Sequence, residues 1–116
     1  MRFGKAARVR RRHEFLAIQQ RGKRLVAGDL VVLALEGKGG PPRIGITVSS
    51  KVANAVGRNR VKRWVREAFR TVVAELPSVD LVVIARQGAD RVGLAGARRA
   101  LEAARGRLCV PRGKGS

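Results

Sequence analysis

Aromatic side chains are scarce here: no tyrosine, one tryptophan and three phenylalanines in 116 residues. Stacking against bases therefore has few candidates, and nucleic-acid contacts would lean on Arg, Lys and backbone groups. A single cysteine, Cys109, excludes an internal disulfide and fits a reducing, cytoplasmic setting. Because His13 is also the only histidine, a Cys/His zinc site has no ligand set. Acidic residues number 8 against 26 Lys and Arg, a formal charge of +18. No apolar run approaches the roughly 20 residues that span a bilayer. The amino-terminal MRFGKAARVRRRHEF lacks the apolar middle of a signal peptide. It is Arg-rich like a transit peptide, but it has no Ser and runs into a helical pattern, so targeting is not expected.

What is present is charge on a foldable chain. Hydrophobic residues make up 45%, which supports a folded protein over a disordered basic tail. The length fits one domain over residues 1–116, with basic ends around a core of about 8–108. A charge of +18 along such a chain implies a polyanion; nucleic acid leads and an anionic membrane surface is second.

The pattern along the chain predicts a helix over Arg11–Gln20, with Gly22 as its stop. DLVVLALE (Asp29–Glu36) reads as a strand, GKGGPP (Gly37–Pro42) as a turn, and RIGITVSS (Arg43–Ser50) as a second strand with period-two alternation. These two are expected to form a hairpin, and Arg24–Ala27 is a possible further short strand. A long helix is predicted over Arg58–Leu76, closed by Pro77. VDLVVIAR (Val79–Arg86) reads as a central strand buried on both faces. Leu94, Ala97, Leu101, Ala104 and Leu108 then recur at helical spacing. The order α-β-β-β-α-β-α predicts a two-layer α/β sandwich.

The long helix has two faces. Val61, Trp64, Val65, Ala68, Phe69, Val72, Val73 and Leu76 form an apolar stripe suited to a sheet, so Trp64 and Phe69 read as core. Asn59, Arg63, Arg66 and Arg70 project from the opposite side, with Lys62 on the flank. Only Glu67 is acidic between Asn54 and Thr71, so alternating i, i+4 pairs cannot neutralise this face. Guanidinium forks at fixed spacing match phosphate oxygens.

An active site is much harder to find. His13 and Glu14 are adjacent on a helix and point in different directions. The carboxylates Glu36, Glu67, Glu75, Asp80, Asp90 and Glu102 share no direction that would hold the metals of a two-metal nuclease. GKGG (Gly37–Gly40) lacks the Lys-Ser/Thr ending of a P-loop. The residues read as a binding protein with no catalytic group and no metal ligand of its own.

RNRVKRWVREAFR (Arg58–Arg70), preceded by KVANAVG (Lys51–Gly57), resembles the RNR motif of the bacterial ribonuclease P protein subunit. HEF (His13–Phe15), QQRGKR (Gln19–Arg24), RIGITVSSKVANAV (Arg43–Val56) and DLVVIAR (Asp80–Arg86) resemble its other segments in order, from about Arg8 to Leu108. The resemblance implies a left-handed strand–helix–strand crossover, in a fold shared with a small-subunit ribosomal protein domain; general priors would favour the right-handed form. It implies an endonuclease ribonucleoprotein that removes the 5′ leader from precursor tRNA, with a large RNA and its Mg2+ as catalyst. The implied partners are that RNA and the leader, with no membrane and no obligate protein partner. Arg58, Asn59, Arg60, Lys62, Arg63 and Arg66 would contact the RNA subunit, joined by Arg70 and Asn54. The leader would lie in a cleft between the first helix and the sheet, lined by Phe15, with Lys51 nearby. Family members commonly carry further aromatics in that cleft, and the matching positions here are Gln19 and Leu33. Phe15 has two readings, cleft wall or core. Val-Ser is followed by Ser50-Lys51 where the family commonly has two lysines.

Three rivals remain at this level. A ribosome-associated protein of similar fold would bind rRNA without stimulating cleavage. A DNA-binding architectural protein would need more side chains able to reach base edges than Asn59 alone supplies. An independent nuclease lacks a carboxylate cluster.

Overall fold

A computed structural model describes residues 12–37 and 39–108, and over these the chain forms four strands and three α-helices. The basic amino-terminal stretch with Phe3, Lys38 in the predicted turn, Cys109, the PRGKGS tail and the side chain of Leu108 lie outside the described residues. The elements are α1 (Arg12–Arg21), β1 (Lys23–Ala27), β2 (Leu30–Glu36), β3 (Arg43–Val48), α2 (Ala55–Val72), β4 (Val79–Ala85) and α3 (Gly93–Leu108). A 3-10 turn over Val73–Glu75 extends α2 towards Pro77.

The sheet order is β1-β2-β4-β3, and this corrects the expected hairpin. β2 does not pair with β3; it pairs antiparallel with β1 and with β4, while β3 lies parallel to β4 on the far edge. The hairpin is β1–β2, joined at Gly28 and Asp29, with Gly28 at φ 61. Asp29 thus belongs to a turn that glycine's freedom at positive φ makes possible, not to the strand. Gly37–Pro42 is a connection between strands that are not neighbours. β4 takes the central place because it is apolar on both sides: Leu81, Val82 and Val83 are all buried.

The two sheet faces have different covers. Leu30, Val32 and Ala34 of β2, Ile44 of β3, and Leu81, Val83 and Ala85 of β4 form one face. Against it pack Val61, Val65, Ala68, Phe69 and Val72 of α2 and Ala97, Ala100, Leu101 and Ala104 of α3. Trp64 is half-buried at the edge of this core, and Leu94, expected in the α3 stripe, is exposed. On the other face Val31, Leu33 and Val82 pack with Ile18 of α1, flanked by Phe15, Leu35 and Ile84. α1 is only 10 residues long, so part of that face stays uncovered.

The handedness of β3–α2–β4 follows from backbone chirality. Arg86 donates its N–H to the Asp29 carbonyl, so even-numbered β4 residues turn their backbone groups towards β2. Val82 and Ile84 meanwhile turn their side chains towards α1. For L-residues this places β3 on the right of an upward β4 when viewed from the α2 side. The chain therefore passes leftward in front of the sheet, a left-handed crossover, as the resemblance implies.

Arg43 ties three elements together. Its Nε and Nη2 donate to Asp80 of β4 at 2.9 and 2.8 Å, and its Nη1 reaches Glu14 of α1 at 3.0 Å. The bond to Asp80 raises the guanidinium pKa further, against a smaller opposing effect of burial. The bidentate geometry is the strong form of this pair. Arg43→Ala would remove the fork from the Asp80 carboxylate, whose side chain is only 15% exposed in the native fold. A loss of about 2 kcal/mol in urea unfolding is expected, with faster amide exchange in α1.

Candidate nucleic-acid interface

The basic face begins at a helix cap. Asn54 is extended at φ −71, ψ −179, and its side-chain oxygen accepts the Gly57 N–H at 2.9 Å. The sequence predicted a start at Arg58; the cap moves it to Ala55, and one turn more of helix supports the motif. Gly57 is buried where an added Cβ would stand 2.7 Å from the Ala53 Cβ, so the entering chain lies flat against the first turn. Arg58 is half-buried and donates from Nη1 to the Ala53 carbonyl at 3.1 Å. Asn54 and Arg58, predicted as RNA contacts, thus also build the corner from which the helix projects.

Beyond that corner the predicted face is in place. Asn59, Arg60, Arg63, Arg66 and Arg70 are exposed, and Lys62 is half-buried on the flank. Arg70 spends part of its charge on Glu67 at 2.7 Å, an exposed i, i+3 pair of small energetic weight. Among the described residues Arg60, Arg63 and Arg66 have no ion pair. Phe69, fully buried behind them, prevents the helix from rolling.

The predicted cleft also has a physical counterpart. A groove of about 420 Å3 opens beside α1, lined by Gln19, Gly22, Arg24, Val31, Leu33, Ile84 and Arg86. Gln19 and Leu33 come together as predicted, Leu33 as part of the floor at 5% exposure. Phe15 is half-buried in the adjoining α1 cluster and is not among the lining residues, so it is partly core and partly surface. Lys51 lies in the exposed turn before α2, also outside the lining.

Arg24 and Arg86 were missed as site residues. Arg24 faces the groove because it pairs with Leu33, and Arg86 because it extends β4 beyond Ile84. Strand alternation could have placed Arg24 on the Val26 side of β1. The hairpin partner, which the sequence reading misassigned, was needed to say what that side faces.

A rigid helix on one side of the sheet, whose Arg60, Arg63 and Arg66 have no ion pair among the described residues, and on the other side a groove with an apolar floor and arginines at its rim, are the arrangement expected of an α/β nucleic-acid-binding protein. Comparisons place it further. Residues 3–109 match the Ribonuclease P family model. The ribonuclease P protein component of Gluconacetobacter diazotrophicus is 47% identical over 87 residues, covering 72% of this chain and 75% of that protein. That of Citrifermentans bemidjiense is 40% identical over 106 residues, covering 91% of both chains. The structure of the Staphylococcus aureus RNase P protein superposes with a TM-score of 0.79 at 31% identity, covering 91% of this chain and 100% of that one. The chain belongs to the ribonuclease P protein family.

Asn54→Ala removes the cap while leaving the arginines in place. It should cost about 1 kcal/mol in thermal or urea unfolding, with amide exchange accelerated first at Gly57 and Arg58.

Proposed function

We propose that this chain is the protein subunit of a ribonuclease P ribonucleoprotein, in which it docks on the RNA subunit and holds the precursor tRNA leader while the RNA performs the cleavage. The carrying observation is the α2 face, where Arg60, Arg63 and Arg66 stand exposed and without carboxylate partners among the described residues. Asn59, Lys62 and Arg70 extend that face, and Arg58 and Asn54 brace it. Each phosphate neutralised releases counterions, so binding should weaken with salt.

The leader lies in the groove beside α1. Val31, Leu33 and Ile84 give it an apolar floor, Arg24 and Arg86 meet its phosphates, and Phe15 offers an edge for one base. Lys51 adds charge on the approach to α2.

Mg2+ belongs to the RNA side of the complex in this reading. Among the described residues, no three carboxylate, His or Cys side chains converge on a point. Glu14 and Asp80 hold Arg43, Glu67 holds Arg70, and Glu75 holds Arg105. The described residues offer no metal cage. Its part is electrostatic: a charge of +18 between two polyanions lowers their repulsion and lets Mg2+-bearing phosphates pack closely.

Reconstitution at low Mg2+ tests the role. A bacterial ribonuclease P RNA and labelled precursor tRNA should be cleaved at the mature 5′ end only when this protein is added. Cleavage by the protein alone would place an active site in it, and tight RNA binding without stimulation would favour a ribosomal role. For the docking face, Arg63→Ala with Arg66→Ala should reduce the slope of log affinity against log salt for the RNA subunit by about 1 to 1.5, with an unchanged melting temperature.

A further inference from the structure

A second groove, of about 520 Å3, lies between the Gly28–Asp29 turn and α3. Asp29, Gly88, Arg91, Gly96 and Arg99 are among its lining residues. It adjoins the Arg86 end of the groove beside α1. Arg86 lines that first groove and donates its N–H to the Asp29 carbonyl at 2.8 Å, and Gly88, two residues on, lines the second. A chain leaving the first groove past Arg86 meets the second as it rounds the sheet end.

The chemistry of the lining is selective. Arg91 and Arg99 are exposed and have no ion pair among the described residues. Asp29 sits against the β4–α3 loop, where Gly88 has φ +101 and an added Cβ would come within 2.7 Å of the Asp29 Oδ2. Glycine suits that positive φ and leaves the exposed carboxylate undisplaced beside the loop. Two guanidiniums suit phosphate oxygens, whereas a carboxylate repels them and accepts bonds from hydroxyl or amino groups. Inorganic phosphate would use only the arginines. A ribonucleotide offers both kinds of group, and the volume suits one.

We propose that this groove holds a nucleotide of the same single-stranded RNA that occupies the groove beside α1, beyond Arg86. Arg91 and Arg99 take its phosphates, and Asp29 accepts from a ribose hydroxyl or base amino group. The assignment rests on the reading of the first groove as the single-strand site, and it lengthens the track over the edge of the sheet onto α3. Arg91 in the turn before α3 and Arg99 on α3 thereby gain a role separate from the arginines of α2.

The test is binding of labelled oligoadenylates, a tetranucleotide and a dodecanucleotide, to the full-length protein. Arg91→Ala with Arg99→Ala should weaken the dodecanucleotide about tenfold at 0.1 M salt and leave the tetranucleotide unchanged. An unchanged dodecanucleotide affinity, or an equal loss for both lengths, overturns the proposal. Arg24→Ala with Arg86→Ala separates the two readings. Undiminished tetranucleotide binding by that variant removes the first-groove assignment and this proposal with it. A selective loss of the dodecanucleotide in the α3 variant, with tetranucleotide loss in the Arg24/Arg86 variant, supports both.

Discussion

Electrostatic self-repulsion is the constraint to which the whole molecule answers. Of the 26 basic residues, several stand within a turn of one another on α2, and exposed cations of one sign oppose compaction. Apolar packing overcomes this by holding α2 from behind. Phe69, Val65, Val61 and Val72 are each at most 2% exposed against the sheet and α3. Burial of one such side chain contributes about 1.5–3 kcal/mol, more than the cost of a nearby exposed like-charge pair. The same burial fixes the rotation of the helix, so the arginines are presented in one direction. The exposed arginines and the buried apolar stripe therefore occupy opposite sides of one element.

The few acidic residues are placed where a cation is structural. Arg43 is held by Glu14 and Asp80, Arg105 by Glu75, and Arg70 by Glu67. Arg43 connects α1 to both β3 and β4, and so helps set where α1 lies across the sheet. That position determines the floor left open beside it. By contrast Arg60, Arg63, Arg66, Arg91 and Arg99 are left without acidic partners among the described residues. Acidic partners thus engage Arg43 at the centre of the fold and only exposed arginines elsewhere.

Left-handed connection of β3 to β4 has a consequence for this geometry. It puts α2 over the sheet beside α3, and among the described residues the opposite face is covered only by α1. A 10-residue helix cannot cover that face, and the uncovered part becomes the groove. Scarcity of aromatics then shapes its chemistry. Gln19 and Leu33 line it without a ring, and the cations of its lining are Arg24 and Arg86.

Local patterns in the chain determined the elements and the basic face. Apolar spacing at one side of a helix identified α2, period-two alternation identified β3, and a continuous apolar run identified the central strand. The scarcity of acids near Asn54–Thr71 marked the exposed basic face, and the RNR segment pointed to the family. These features are legible because periodicity and charge are properties of neighbouring residues. Tertiary structure alone decided which strands pair, since that depends on burial shared between residues far apart in the chain; the expected β2–β3 hairpin failed for this reason. It alone put Arg24 beside Leu33 and Arg86, gave Arg43 its two carboxylates, and brought Asp29 against Gly88. The helix cap at Asn54 lies between these cases: the residue type suits a cap, but only the backbone geometry fixes where the helix starts.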